Sequence, residues 1–279
     1  MTIELMFITN DPDVAIIAER NGVERIWVDL ETLGKEERQK NMNTVKSKHT
    51  VQDVEKLSQV LTTSELMVRV NPWNANSVDE IEQVIAAGAQ RIMLPMWKSV
   101  HEVQCFLDTV DRRVATTLLL ETSEAADCLD SVLELPNVDE IHIGLNDLHL
   151  SRGLTFMFEL LSDGTVEKLC HKIKCKGLQF GFGGIARIGE GMLPAEKIVC
   201  EHYRLGSTRA ILSRSFCNTD EVKDLDTINS LFCENMKKLR EYEDSLQYAD
   251  ENFFLENQKE VAICVERVVK TIKDRRKNG

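Results

Sequence analysis

The chain has 279 residues and a formal charge of −12 at pH 7, from 34 lysines and arginines against 46 aspartates and glutamates. Hydrophobic residues make up 43% and charged residues 29%, which excludes a largely disordered chain. The acidic balance argues against a general nucleic-acid binder, which needs a basic face to displace counterions.

Eight short apolar runs recur along the chain, and a helix-like stretch follows each of them. The runs mostly do not alternate with polar residues, as expected of parallel strands buried on both faces. They are Ile3 to Ile8, Arg25 to Leu30, Leu66 to Val70, Arg91 to Pro95, Ala115 to Leu120, Glu140 to Gly144, Gln179 to Gly183 and Thr208 to Ser213. Eight strand-helix units predict an α/β fold, a (β/α)8 TIM barrel, whose usual length is roughly 250 residues. The alternative, a doubly wound open sheet, normally carries a glycine-rich turn after its first strand, and this chain does not.

Capping residues mark several helix boundaries. Asp11 followed by Pro12 predicts the start of the first helix. Ser77 and Glu80 have the spacing of a capping box, and Thr122 is expected to open a later helix.

The segment after Asn218 is rich in charge and has no strand signal. It carries two apolar stripes at helical spacing, Ile228, Leu231, Phe232, Met236, Leu239, Tyr242 and Leu246, then Val261, Val265, Val268 and Ile272. We therefore expect a barrel domain over residues 1–218 and a C-terminal helical extension over 219–279. The extension completes the barrel on its own core or packs on a neighbouring subunit of a homo-oligomer.

Neither export nor membrane insertion is indicated. The N-terminus shows no signal peptide, and no apolar run approaches the roughly 20 residues of a membrane span. The eight cysteines form no Cys-x-x-Cys pair, which favours reduced thiols in a cytoplasmic protein over a zinc site. We expect no nucleic-acid or membrane partner.

Charged residues follow several strands, at the barrel end where active sites form. Glu121 and Asp147 end neighbouring strands, and two carboxylates with waters suit Mg²⁺, with Mn²⁺ or Co²⁺ as alternatives. Arg69, Arg187 and Arg214 follow other strands and indicate a small anionic substrate. The structural alternative is a set of salt bridges at the barrel rim.

At these strand ends the sequence resembles the HpcH/HpaI family of metal-dependent pyruvate aldolases and citrate lyase β-subunits. The matching stretches occur in family order within Met6 to Phe216. They are Trp27 to Glu31, Met67 to Asn74, Gly88 to Met96, Leu120 to Ala125 and Val138 to Leu148.

The resemblance implies a role for each matching residue. Glu121 and Asp147 match the metal-binding carboxylates, and Arg69 matches the arginine that contacts the keto-acid oxygen. The backbone from Gly144 through Asn146 to Asp147 matches the turn that receives the substrate carboxylate. The implied activity is a divalent-metal-dependent carbon–carbon lyase that cleaves or forms a 2-keto acid through a pyruvate-like enolate.

Asp29 and Glu31 are expected to orient water, the metal's ligands or Arg69. Two positions depart from the family pattern. Thr32 stands where the aldolase branch has an acid/base histidine and the citrate lyase branch an aspartate, and Leu119 replaces a frequent glutamine. Two other functions therefore stay open, a lyase acting on a CoA thioester and a catalytically silent barrel that serves as a binding or assembly subunit.

The charged loop from Glu31 to Thr50 offers substitutes for the missing group. His49 is a candidate acid/base, or else it caps the helix that starts near Thr50. Lys35 and Arg38 extend the anion site toward a phosphate or second carboxylate of the substrate, or are solvated loop charges.

Two features of the later strands have structural interpretations. His142 is expected in the barrel wall as a hydrogen-bonded structural histidine. The glycines Gly181, Gly183 and Gly184 lack the lysine and spacing of a phosphate-binding loop, and they predict close backbone approach at the barrel mouth.

Overall fold

Parallel pairing closes the eight apolar runs into a barrel in the computed structural model, which describes residues 2–34 and 49–278. The strands are β1 (Glu4–Ile8), β2 (Arg25–Asp29), β3 (Glu65–Arg69), β4 (Arg91–Leu94), β5 (Ala115–Leu120), β6 (Glu140–Ile143), β7 (Gln179–Ile185) and β8 (Arg209–Leu212). Each strand pairs with the next, and β8 pairs with β1. The predicted (β/α)8 barrel is confirmed.

Eleven helices lie within the described ranges, and most of them connect consecutive strands. They are α1 (Pro12–Arg20), α2 (Val51–Val60), α3 (Ser77–Ala86), α4 (Val100–Val110), α5 (Ser123–Val132), α6 (Leu145–Ser151), α7 (Glu159–Ser162), α8 (Thr165–Cys175), α9 (Ala195–Leu205), α10 (Leu225–Leu246) and α11 (Glu251–Asn278). Their apolar faces cover the outside of the barrel and form the larger of two hydrophobic cores.

Two of the three predicted helix starts are confirmed. Asp11 caps α1 with its carboxylate, and the Thr122 hydroxyl caps α5. The predicted capping box at Ser77 is wrong, because Ser77 is already the first residue of α3. Its hydroxyl accepts the Asn74 N–H at 2.8 Å, and Glu80 turns toward Asn71, whose side-chain amide donates to it at 2.8 Å. Both residues therefore fasten the loop after β3 rather than the helix end.

The barrel interior begins with an ionic layer at the amino ends of the strands. Glu140 on β6 accepts hydrogen bonds from Arg25 on β2 at 2.8 and 3.2 Å and from Arg209 on β8 at 3.0 Å. Thr117 on β5 adds a bond of 2.9 Å. Burial raises the pKa of Glu140, but the charges of Arg25, Arg91 and Arg209 outweigh it and hold the pKa at about 2.

A second, smaller hydrophobic core forms the next layer inside the barrel. Its members stand two residues after the ionic ones on several strands, because alternate side chains of a strand point the same way. They are Met6, Trp27, Met67, Met93 and Leu119. This apolar plug separates the ionic layer from the carboxyl ends of the strands.

The C-terminal segment packs on the barrel of its own chain. Helix α10 lies against α1, and Phe232 meets Phe7 of β1 edge to face with ring centres 5.0 Å apart. Helix α11 lies against α7 and α9 and buries Val261 and Val265. The neighbouring-subunit contact stays a prediction. Over residues 2–34 and 49–278, no helix combines the length and the apolar content that a membrane crossing requires.

The ionic layer gives a test of stability. Replacing Glu140 with alanine removes the bidentate partner of Arg25, which is only 3% exposed, and leaves this buried charge with the Glu65 pair at 2.6 Å. We expect the free energy of unfolding to fall by about 3–5 kcal/mol in urea denaturation. Glu82→Ala removes the exposed pair with Arg113 and should cost less than about 1 kcal/mol. Equal losses in the two variants would contradict this account of the layer.

Candidate functional site

A cavity of about 880 Å³ opens at the carboxyl ends of the strands, above the apolar plug. The predicted site residues that line it are Asp29, His49, Arg69, Glu121, Gly144, Asn146, Asp147 and Arg214. Its size is within the range of small-molecule sites. The barrel thus brings together side chains from β2, β3, β5, β6 and β8 that are far apart in sequence.

Arg69 at the end of β3 is clamped by Asp29 at the end of β2. The two side chains form a bidentate pair, with Nε–Oδ1 2.9 Å and Nη2–Oδ2 2.8 Å. Glu31 approaches the same Nη2 to 3.3 Å, and the Trp27 ring lies 4.9 Å from the guanidinium carbon. Burial lowers the pKa of Arg69, but the charges of Asp29 and Glu31 outweigh it and raise the pKa above its ordinary value. Arg69 is therefore a fixed, permanently charged group in the cavity wall.

Glu121 follows β5 and is only 3% exposed. Its Oε1 accepts the backbone N–H of Met96 at 3.0 Å, and Met96 holds the left-handed backbone conformation with φ of +52°. Burial and then the charge of Asp147 raise the pKa of Glu121 to about 8, although Arg69 works in the opposite direction. The effect of Asp147 on Glu121 means that the two carboxylates interact within the cavity.

The donor set fits a hard divalent cation. Among the residues described, no group of three or more histidine, cysteine, aspartate or glutamate side chains is arranged to hold a metal. Mg²⁺ needs fewer, since it commonly binds one or two carboxylates and completes its shell with water and substrate oxygens. Gly144 leaves room for this arrangement, because a Cβ atom there would lie 2.9 Å from Oε2 of Glu121. A cation would also offset the repulsion between Glu121 and Asp147.

His49 belongs to the cavity wall and not to the helix cap. Its Nδ1 accepts the backbone N–H of Asp29 at 3.0 Å. The N-cap of α2 is Thr50 instead, whose N–H and hydroxyl donate to Oδ2 of Asp53 at 2.9 and 3.0 Å. The capping alternative for His49 is therefore wrong. Thr32 is exposed and bonded to Asn71, which shows why this position contributes nothing to the cavity.

The predicted arginines separate into different environments. Arg214 lines the cavity at its exposed rim. The guanidinium of Arg187 instead donates to the carbonyl of Phe216 at 2.9 Å and lies 3.6 Å from Glu190. That placement, outside the cavity lining, argues against the predicted substrate contact of Arg187. Lys35 and Arg38 lie outside the described residues.

Sequence reasoning missed two contacts of the site. The Met96 N–H bonds to Glu121, and the Trp27 ring lies over the Arg69 guanidinium. His142 is buried and hydrogen-bonded through Nε2, as expected, but it also lines the cavity, and its Nδ1 is unbonded to any described residue. Strand alternation was the available signal for Trp27 and His142, since each stands two residues before a cavity residue on its strand. No sequence pattern predicts that the Met96 N–H donates to Glu121.

The predicted close backbone approach is confirmed at Gly181 and Gly183 but not at Gly184, where a Cβ atom would lie 3.4 Å from the Ile211 carbonyl oxygen, an ordinary contact. A Cβ atom on Gly181 would lie 2.3 Å from the carbonyl oxygen of Arg209 on the adjoining strand. Gly183 has φ of +54°, and a Cβ atom there would lie 2.7 Å from the Leu145 side chain. A side chain at either position would therefore collide with β8 or α6, and of the two glycines Gly183 lines the cavity.

The raised pKa of Glu121 makes stability depend on pH. Its ordinary pKa is 4.5 and its folded value is about 8, so the folded chain holds this proton more tightly than the unfolded chain. The resulting stabilisation is fully present below pH 4.5 and is lost as pH rises through 8. Glu121→Gln stays neutral throughout. In metal-free buffer, the Tm of this variant relative to wild type should therefore increase by roughly several degrees between pH 5 and pH 8.

Glu124→Gln is the matched control for the Tm measurement. The Glu124 side chain is 53% exposed, so the difference in Tm between this variant and wild type should stay constant with pH. A constant difference for Glu121→Gln as well would contradict the raised pKa.

Comparisons with known proteins agree with this architecture. An HpcH/HpaI aldolase from Desulfitobacterium hafniense is 16% identical over 81% of this chain and 93% of its own, with a TM-score of 0.60. The citrate synthase SbnG is 16% identical over 82% of this chain and 94% of its own, with a TM-score of 0.58. A citrate lyase from Burkholderia xenovorans is 14% identical, covers 96% of this chain and 93% of its own, and has a TM-score of 0.56. At such identities these likenesses show the shared fold alone.

The family comparison goes further than the structures. No curated protein matched the sequence. The HpcH/HpaI aldolase/citrate lyase family model, however, matches residues 4–159, which is more than half of the chain and includes β1 to β6 with Arg69, Glu121 and Asp147. The chain therefore belongs to the HpcH/HpaI aldolase/citrate lyase family and has the lyase- or aldolase-type function of that family.

Proposed function

We propose that this protein is a divalent-metal-dependent carbon–carbon lyase that cleaves or forms a 2-keto acid through a pyruvate-like enolate. The observation that carries the proposal is the presence of Glu121, Asp147 and the clamped Arg69 in the lining of one cavity. Asp29, Glu31 and Glu121 all raise the pKa of Arg69, and Asp147 and Glu31 raise that of Glu121, so four carboxylates act on this part of the cavity. Such a surplus of negative charge is suited to a cation before an anionic substrate enters.

Glu121 and Asp147 would hold the metal, most simply Mg²⁺. When bound, the ion supplies a Lewis acid that stabilises negative charge on the keto oxygen. Arg69 supplies a second positive group whose position is fixed by its bidentate bond to Asp29, so little reorganisation is needed as charge develops. Gly144 and the first residues of α6 through Asp147 lie on the cavity wall, where their backbone would receive the substrate carboxylate.

His49 is the proposed proton carrier. Its imidazole lines the cavity and is held beside Asp29 through the backbone bond to Nδ1. A neutral imidazole is suited to proton transfer near neutral pH. Asp29 and Glu31 are engaged with Arg69, and in this proposal they position the arginine rather than carry the proton.

Deuterium exchange into the methyl group of pyruvate tests enolate formation directly. The wild-type protein with Mg²⁺, Mn²⁺ or Co²⁺ should catalyse the exchange, and chelation of the metal should abolish it. Glu121→Gln preserves side-chain shape but removes one metal-binding charge, so the exchange rate should fall by about 100-fold or more. The rate is followed by proton NMR.

Glu124→Gln serves as the control, because Glu124 does not line the cavity. Its exchange rate should equal that of the wild type. If none of the three ions supports exchange, the result would contradict the aldolase proposal and favour the catalytically silent barrel. If Glu121→Gln is as active as the wild type, the metal assignment is wrong.

A further inference from the structure

His142 occupies a position inside the barrel that the proposed chemistry does not use. It stands on β6 between Glu140 of the ionic layer and Gly144 at the mouth, and it is 0% exposed. The imidazole lines the same cavity as Arg69 and Glu121. Its register partner on the adjoining strand is Gly181.

One hydrogen bond fixes which imidazole nitrogen carries the proton. Nε2 of His142 lies 3.2 Å from the carbonyl oxygen of Gly183. A carbonyl oxygen only accepts, so Nε2 must donate, and Nδ1 of the neutral ring then presents a lone pair. Burial lowers the pKa of His142 to about 4, which keeps the ring neutral at physiological pH. Such a weak base is suited to accepting a hydrogen bond rather than a proton.

Nδ1 of His142 is buried and has no hydrogen-bond partner in the described part of the chain. Buried polar atoms without a partner are uncommon, and each calls for an explanation such as a ligand that completes it. His202 offers a comparison within the same molecule. Its Nε2 is also buried and unpartnered, but its ring stacks on Phe182 and does not line the cavity. Within residues 2–34 and 49–278, only His142 combines a buried, unpartnered acceptor nitrogen with a place in the cavity lining.

We propose that His142 recognises a hydroxyl group of the substrate, with Nδ1 accepting a hydrogen bond from the hydroxyl on the carbon where the carbon–carbon bond breaks. The inference rests on the proposed function and adds His142 to the residues that select its substrate. A site that contains an unpaired acceptor favours a ligand with a donor over one without it.

Two conservative variants separate the two nitrogens of the ring. An asparagine amide reaches roughly the position of Nδ1 and can still accept, whereas a glutamine amide reaches that of Nε2 and can still donate to Gly183. The quantity measured is a ratio, kcat/KM for cleavage of a 4-hydroxy-2-keto acid divided by the rate of deuterium exchange into pyruvate. Pyruvate has no hydroxyl, so the ratio isolates hydroxyl recognition from enolate formation and from folding. The substrates tested are the 4-hydroxy-2-keto acids formed from pyruvate with acetaldehyde, glyoxylate or benzaldehyde.

In His142→Gln we expect the ratio to fall by about tenfold or more, and in His142→Asn to stay within about threefold of the wild type. His202→Gln, the matched buried histidine, should leave the ratio unchanged. An unchanged ratio in His142→Gln, or equal losses in the Gln and Asn variants, would overturn hydroxyl recognition. Exchange without cleavage of any of the three acids would also overturn it while the proposed function stands. If the wild-type protein shows no metal-dependent exchange, the proposed function is wrong, and this inference fails with it.

Discussion

Closure of the parallel sheet is the constraint on which the rest of this molecule depends. A closed barrel places alternate side chains of every strand in one narrow interior, so residues two apart on a strand stack along the axis. Strand β2 shows the sequence of layers, with Arg25 in the ionic layer, Trp27 in the apolar plug and Asp29 at the mouth. The other strands contribute to each layer at matching heights because their hydrogen-bonded register aligns them.

The two charged layers differ in their electrostatics: charges balance in the ionic layer, and they do not balance at the mouth. In the lower layer, arginines surround Glu140 and lower its pKa, so charge there is balanced and stabilising. At the mouth the balance is reversed: burial raises the pKa of Glu121, and the charges of Asp147 and Glu31 add to the rise while Arg69 opposes it. The apolar plug lies between the two layers and so separates their charged groups. Ionisable groups with shifted pKa values are common at functional sites, because an ion pair does not offset the effect of burial there.

Glycines and one strained backbone position shape the mouth without contributing side chains. Gly144 leaves space beside Glu121, and Gly183 leaves space beside the Leu145 side chain. Met96 keeps a left-handed conformation that places its N–H on the Glu121 carboxylate. Together these features let a packed barrel hold a cavity large enough for a small molecule at one end.

The sequence by itself determined the eight strands, the barrel and the strand-end residues Arg69, Glu121 and Asp147. Hydrophobic runs and strand alternation are local signals, and the carboxyl ends of parallel strands must meet at one face. Only the tertiary structure decided the pairing of those residues. It assigned Asp29 to Arg69, His49 to the cavity instead of a helix cap, Arg187 to a carbonyl and Ser77 to a loop. The sequence also could not show that Nδ1 of His142 is buried without a hydrogen-bond partner among the described residues. Such contacts join residues from different strands and loops, and their geometry is set by closure of the barrel rather than by neighbours along the chain.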